Sequence, residues 1–147
     1  VEWLYIADSA NAKIVRIHVS GDFTSIDYIE QWIALAESRS EVRFFAYTRS
    51  WRLPLLLPAL ERLRVLHNVQ LFASMDRSIA ELPPPGWRRA WIENDDRLRQ
   101  VRGDYWRAWP DGAPAYVCPE ETGRQPDCQT CGYCIKGRKG DLVFLIH

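Results

Sequence analysis

A chain of 147 residues, 47% apolar and 26% charged, has the size and composition of one globular domain with a real core. Nineteen basic residues balance nineteen acidic ones, which excludes wholesale electrostatic binding to duplex nucleic acid but not a local basic patch. No apolar run approaches the roughly 20 residues of a membrane span and no signal peptide is visible, so a reducing, cytoplasmic setting with no membrane partner is expected.

The chain begins at Val1 rather than Met and reads as trimmed, or as a piece of something longer. It divides into a body, residues 1 to about 110, and a cysteine-bearing tail, residues 111–147, within one domain. Lys13-Ile-Val-Arg-Ile-His-Val19 is a β-branched run stopped by Ser20-Gly21, which predicts a strand and a turn. His18 falls opposite Val15, Ile17 and Val19 in that strand and reads as a hydrogen-bonded interior histidine. Ile26, Ile29, Trp32, Ile33 and Ala36 then form one face of a helix, with Thr24 or Ser25 as cap and Asp27 in the first turn.

The pattern repeats. Val42–Thr48 is a second strand, Leu56, Leu57, Leu60, Leu63 and Leu66 or His67 form a second helical stripe after Pro54 and Pro58, and Val69–Ser74 is a third strand. Val15, Val42 and Val69 are each 27 residues apart, a period that suits consecutive βα units feeding a parallel sheet. The fold class is therefore α/β, with a mostly parallel sheet, open or partly barrel-like. Pro83-Pro-Pro-Gly86 is a loop. Arg89–Glu93 and Ala115–Cys118 are short strands, Asp141–His147 is the last strand, and Asn94–Gly112 gives no clear pattern.

Ligands of parallel α/β sheets bind at the carboxyl ends of the strands. Those ends carry Asp22, Arg49, Asp76, Asn94-Asp95-Asp96, Cys118 and His147. Polar residues after strands commonly cap the next helix instead. Asp22 and Arg49 lead the candidates, because a carboxylate and a guanidinium on adjacent strand ends can pair or clamp an anionic ligand.

Cys118, Cys128, Cys131 and Cys134 have the spacing C-x9-C-x2-C-x2-C. Four soft thiolates suit tetrahedral zinc or an iron–sulfur cluster. Zinc sites commonly join two separate C-x2-C pairs. The overlapping triplet Cys128, Cys131, Cys134, with a remote Cys118-Pro119, favours a four-iron four-sulfur cluster, with zinc as the alternative and disulfides as the reading of last resort. With all four ligands engaged, such a centre is expected to transfer electrons or hold the tail together.

Arg16-Ile-His-Val-Ser-Gly-Asp-Phe-Thr-Ser25, Phe45-Ala-Tyr-Thr-Arg-Ser50, Asn68–Ser74 and the Cys118–Cys134 tail resemble the phage and plasmid gene product eighty-eight family over residues 13–147. The resemblance implies kinship without an established activity. It also implies a further cysteine-rich segment upstream of the first motif. Val1–Ala12 contains no cysteine. With that segment the βα repeat would resemble a radical S-adenosylmethionine enzyme, and this tail would be its auxiliary cluster.

Three functional readings follow. The leading one is a small iron–sulfur protein in electron transfer or redox chemistry, with a redox partner or small-molecule ligand. The second is a zinc- or cluster-stabilised module binding single-stranded nucleic acid through Arg124, Lys136, Arg138, Lys139, Tyr133 and the tryptophans, seven of which the chain contains. The third is an enzyme using Asp22, Arg49 and Asp76.

Overall fold

A computed structural model describes residues 12–94, 98, 105–108, 111–136 and 140–145. Trp3, Asp95, Asp96, Trp109, Arg138, Lys139 and His147 lie outside the described residues. In chain order the elements are β1 (Ile14–Arg16), α1 (Ile26–Ser38), β2 (Arg43–Thr48), a 3-10 turn (Ser50–Arg52), α2 (Leu57–Arg64), β3 (Val69–Met75), β4 (Arg88–Glu93), β5 (Tyr105–Arg107), β6 (Pro114–Val117), α3 (Cys128–Cys131) and β7 (Asp141–Leu145). The strands form one open seven-stranded sheet in the order β1-β2-β3-β4-β7-β6-β5. Pairing is parallel in β1·β2, β3·β4, β4·β7 and β6·β7, and antiparallel in β5·β6. The expected α/β class and mostly parallel sheet are therefore present.

The chain forms two compact units, one ending at Leu71 and the other beginning at Phe72. In the first, Ser25 caps α1 by accepting the Tyr28 N–H at 3.2 Å. The α1 face of Ile29, Trp32, Ile33 and Ala36 is buried, as its spacing predicts. In α2 the buried face is Ala59, Leu60 and Leu63. Asn68 ties the end of α1 to the start of β2. Its amide donates to the carbonyls of Ala36, Arg39 and Val42 at 2.9–3.1 Å.

The first strand departs from expectation. It ends at Arg16, and His18 stands outside it at φ 61°, in the left-handed region. The alternation fails with it: Ile17 is buried, whereas Val19 is 84% exposed. A residue at positive φ reverses the chain direction, so strand parity cannot extend through His18.

In the second unit β4 is buried along nearly its whole length, as a central parallel strand should be. Trp91, Trp106, Ala115 and Val143 line one side of this unit's core. Their identity as core follows from register: Trp91 pairs with Val143, and Ala115 with Trp106. β5 lies in the stretch where the sequence shows no pattern. Three residues, Tyr-Trp-Arg, are too few to display a period.

Candidate functional site

Asp22 and Arg49 do meet, and the Arg49 backbone takes part. The Arg49 N–H donates to Asp22 Oδ2 at 2.7 Å. Asp22 Oδ1 accepts the Phe23 N–H at 2.7 Å and the Thr48 hydroxyl. Thr48 is fully buried and its Oγ1 accepts the Ser50 N–H, while Ser50 Oγ donates to the Phe23 carbonyl at 2.8 Å. Asp22 is thus a bracket that fastens the β1–α1 loop to the end of β2. Beside it, His18 Nε2 lies 2.8 Å from Tyr28 Oη, while His18 Nδ1 is buried with no hydrogen-bond partner. Burial holds the His18 imidazole below its usual value, against the opposing pull of the Asp22 charge.

In the second unit β3, β4, β7 and β6 run parallel, so Asp76, Asn94 and Cys118 leave the sheet at the same edge. Asp76 serves its own turn: Oδ1 accepts the Ser78 N–H at 2.8 Å and the Ser78 hydroxyl at 2.5 Å. At this edge Glu93, 2% exposed, accepts a two-pronged grip from Arg77, with Nε at 2.8 Å and Nη2 at 2.7 Å. Glu121 reaches the Leu145 N–H at 2.6 Å and so caps the described end of β7.

Cys118 continues the β6·β7 ladder, its N–H donating to the Val143 carbonyl at 3.0 Å. The side chain is buried, and burial pushes its thiol up to about 11. The N–H groups of Glu121 and Glu120 donate towards the sulfur and pull the other way, whereas the charges of Glu121 and Cys134 add to the rise. After Cys118 the chain closes on Pro119, whose carbonyl accepts from Arg124 at 2.7 Å and Gln125 at 3.0 Å. Asp127 then caps α3 by accepting the Thr130 N–H at 2.6 Å. Cys128 and Cys131 stand one helical turn apart, and Gly132 ends the turn at φ 65°. Cys134 follows in the next turn, where Lys136 N–H donates to the Gly132 carbonyl at 2.9 Å.

The cysteine segment is anchored by its middle. Tyr133 stacks on Tyr116 with centroids 4.6 Å apart, and its hydroxyl donates to the Asp141 carbonyl at 3.3 Å. A Cβ on Gly140 would fall 2.4 Å from Tyr133 Oη, so this ring needs glycine beside it. Arg88 Nη2 donates to the Tyr133 carbonyl at 3.2 Å and Nε to the Gly140 carbonyl at 2.8 Å. Its guanidinium lies 4.3 Å from the Phe72 ring centroid and 5.3 Å from that of Tyr133. The neighbouring Arg89 is held by Asp141 and Asp111, both at 2.7 Å. The sequence marks neither arginine as special, because their partners lie 22 to 52 residues away.

The donor chemistry suits a soft metal: the four thiols are unpaired by disulfides. Their convergence is incomplete. Among the described residues no three His, Cys, Asp or Glu side chains are gathered closely enough to hold an ion. Among the same residues, no helix is long and apolar enough to cross a membrane.

Residues 3–137 match the family described as Gene product 88. The chain belongs to that family. It is 30% identical over 142 residues to the Gene 88 protein of Mycobacterium phage D29, and 26% identical over 137 residues to that of Mycobacterium phage L5. Each alignment covers 88% of this chain and 54% of the relative. The chain therefore spans about half the length of these curated relatives. No solved structure matches. The matching names carry no activity, and nothing in them bears on radical chemistry.

Proposed function

We propose that this Gene product 88 chain binds one metal centre through Cys118, Cys128, Cys131 and Cys134, an iron–sulfur cluster of the four-iron type, and serves in electron transfer or redox chemistry. The observation that carries the reading is local. One segment, fixed to the sheet at Cys118 and again at Tyr133, holds four thiols, with Cys128 and Cys131 one turn apart and Gly132 reversing the backbone towards Cys134. A bound cluster would supply one-electron chemistry. The protein's own contribution is positional. Cys118 is buried on β6, Glu120 and Glu121 aim N–H groups at its sulfur, and Arg88 holds the other end of the segment. Incomplete convergence accords with ligand sets that close only when metal binds, since metal affinity and local folding are one free energy.

Zinc is the second reading, favoured by the same four thiols. Anaerobic purification with iron, sulfide and zinc analysis separates the two. The cluster reading expects a brown protein with iron and acid-labile sulfide, both lost in a Cys131→Ser variant. A colourless protein holding one zinc per chain would overturn it.

A further inference from the structure

The two halves of the cysteine segment are held differently. Gly132, Tyr133 and Ile135 are buried, so Cys134 sits between two buried side chains. Before Gly132 the opposite holds. Cys128, Gln129 and Thr130 are exposed, Cys131 is half-buried, and no residue of α3 is buried. α3 is a single turn closed by its own backbone, the Gly132 N–H donating to the Cys128 carbonyl at 2.8 Å. That turn puts Cys128 and Cys131 on one face, three residues apart, whereas Gly132 at φ 65° redirects the chain before Cys134. None of the four cysteines is in a disulfide.

A disulfide needs Cβ atoms about 3.5–4.5 Å apart. Residues three apart on a helix hold theirs about 5–6 Å apart, so this pair must draw together by roughly 1 Å. An exposed one-turn helix with no buried residue can yield that much. The stretch around Cys134, fixed by Tyr133 and Ile135, has no such slack, and Cys118 is buried. A bridge closed against modest strain and facing water is readily reduced again, which is the behaviour of a switching disulfide and not of a structural one.

We propose that Cys128 and Cys131 form a reversible dithiol–disulfide couple that exchanges with small-molecule disulfides of the glutathione type, Cys128 reacting first because it is the more exposed. The Cys128 sulfur gives its proton to water, bonds to one sulfur of the oxidant and expels the other half as a thiol. Cys131 then attacks the Cys128 sulfur, breaks the mixed disulfide and releases the second thiol. Two electrons and two hydrogens pass from the protein pair to the oxidant, whose sulfur–sulfur bond is reduced. The inference does not rest on the metal reading, because two thiols suffice. Where the four thiols hold metal, closure withdraws two of the ligands.

The test uses the full chain, purified anaerobically, stripped with a chelator under reductant and desalted. It is mixed with glutathione disulfide, and the loss of two hydrogens is followed by intact mass. Two variants isolate the two pairs of equal spacing: Cys134→Ser keeps Cys128 with Cys131, and Cys128→Ser keeps Cys131 with Cys134. Without denaturant, Cys134→Ser should close about tenfold faster than Cys128→Ser, and dithiothreitol should reopen it. In urea the two should close at similar rates, because only the fold distinguishes them. In Cys131→Ser the first glutathione adduct should map to Cys128. Equal closure rates without denaturant, a first adduct at Cys134, or no bridge in Cys134→Ser overturns the proposal. Iron and sulfide content is read separately, so a failure here leaves the metal reading to its own test.

Discussion

Arg88 on β4 donates to the backbone carbonyl of Tyr133, the residue between the third and fourth cysteines, at 3.2 Å. One buried guanidinium thus joins the cysteine segment to a central strand, and its Nε secures Gly140 at the segment's far end. Arg88→Ala strands two carbonyls and removes the cation from between Phe72 and Tyr133. Hydrogen bonds to charged groups contribute roughly 1.5–3 kcal/mol, so a loss on that scale is expected in urea unfolding. If the cysteines hold metal, the same variant should also lose metal faster to a chelator. Arg88→Lys should recover only part of both, because an ammonium cannot reproduce the flat two-directional donor.

Asp22 is expected to behave as a structural residue. Its two oxygens accept from Phe23, Thr48 and Arg49, so Asp22→Asn turns an amide N–H₂ towards a donor. A cost of about 1–3 kcal/mol in urea denaturation is predicted. Asp22→Glu should also destabilise, since an extra methylene cannot keep all three bonds. A variant with wild-type stability would contradict the bracket.

His18 gives a pH dependence with a defined sign. Burial lowers its folded value, the Asp22 charge opposing. The unfolded chain then binds the proton more readily than the folded one. Stability is therefore complete above the unfolded value of about 6.5 and falls as the pH drops through it towards the lower folded value. The facing groups are Tyr28, through Nε2, and Asp22, while Arg16 Nε donates to the His18 carbonyl. Urea midpoints measured at about pH 8 and pH 5 should diverge between the wild type and His18→Gln, with the wild type losing more on acidification.

Much of the body was legible because its signals are local. The α1 stripe, the Ser25 cap and the apolar runs of β2 and β3 each depend on residues within a few positions of one another. The same locality made Asp22 and Arg49 readable as neighbours at adjacent strand ends. It could not show that the Arg49 backbone N–H donates to Asp22. β5 and the turn at His18 escaped for a related reason. One is three residues long, and the other is a positive φ, which is uncommon at any residue but glycine. Arg88 and Arg89 look like solvent residues until their partners at 111, 133, 140 and 141 are known. The tail's four thiols were evident from spacing alone, whereas their anchoring through Tyr133 required the fold.

The central claim is that Cys118, Cys128, Cys131 and Cys134 bind one iron–sulfur cluster. The most direct measurement is iron and acid-labile sulfide content of anaerobically purified protein, alongside its visible absorption and its EPR spectrum after reduction. The account predicts about four irons and four sulfides per chain, with broad visible absorption that disappears in Cys118→Ser and Cys131→Ser. Colourless protein without iron, whether metal-free or loaded with zinc, would contradict it.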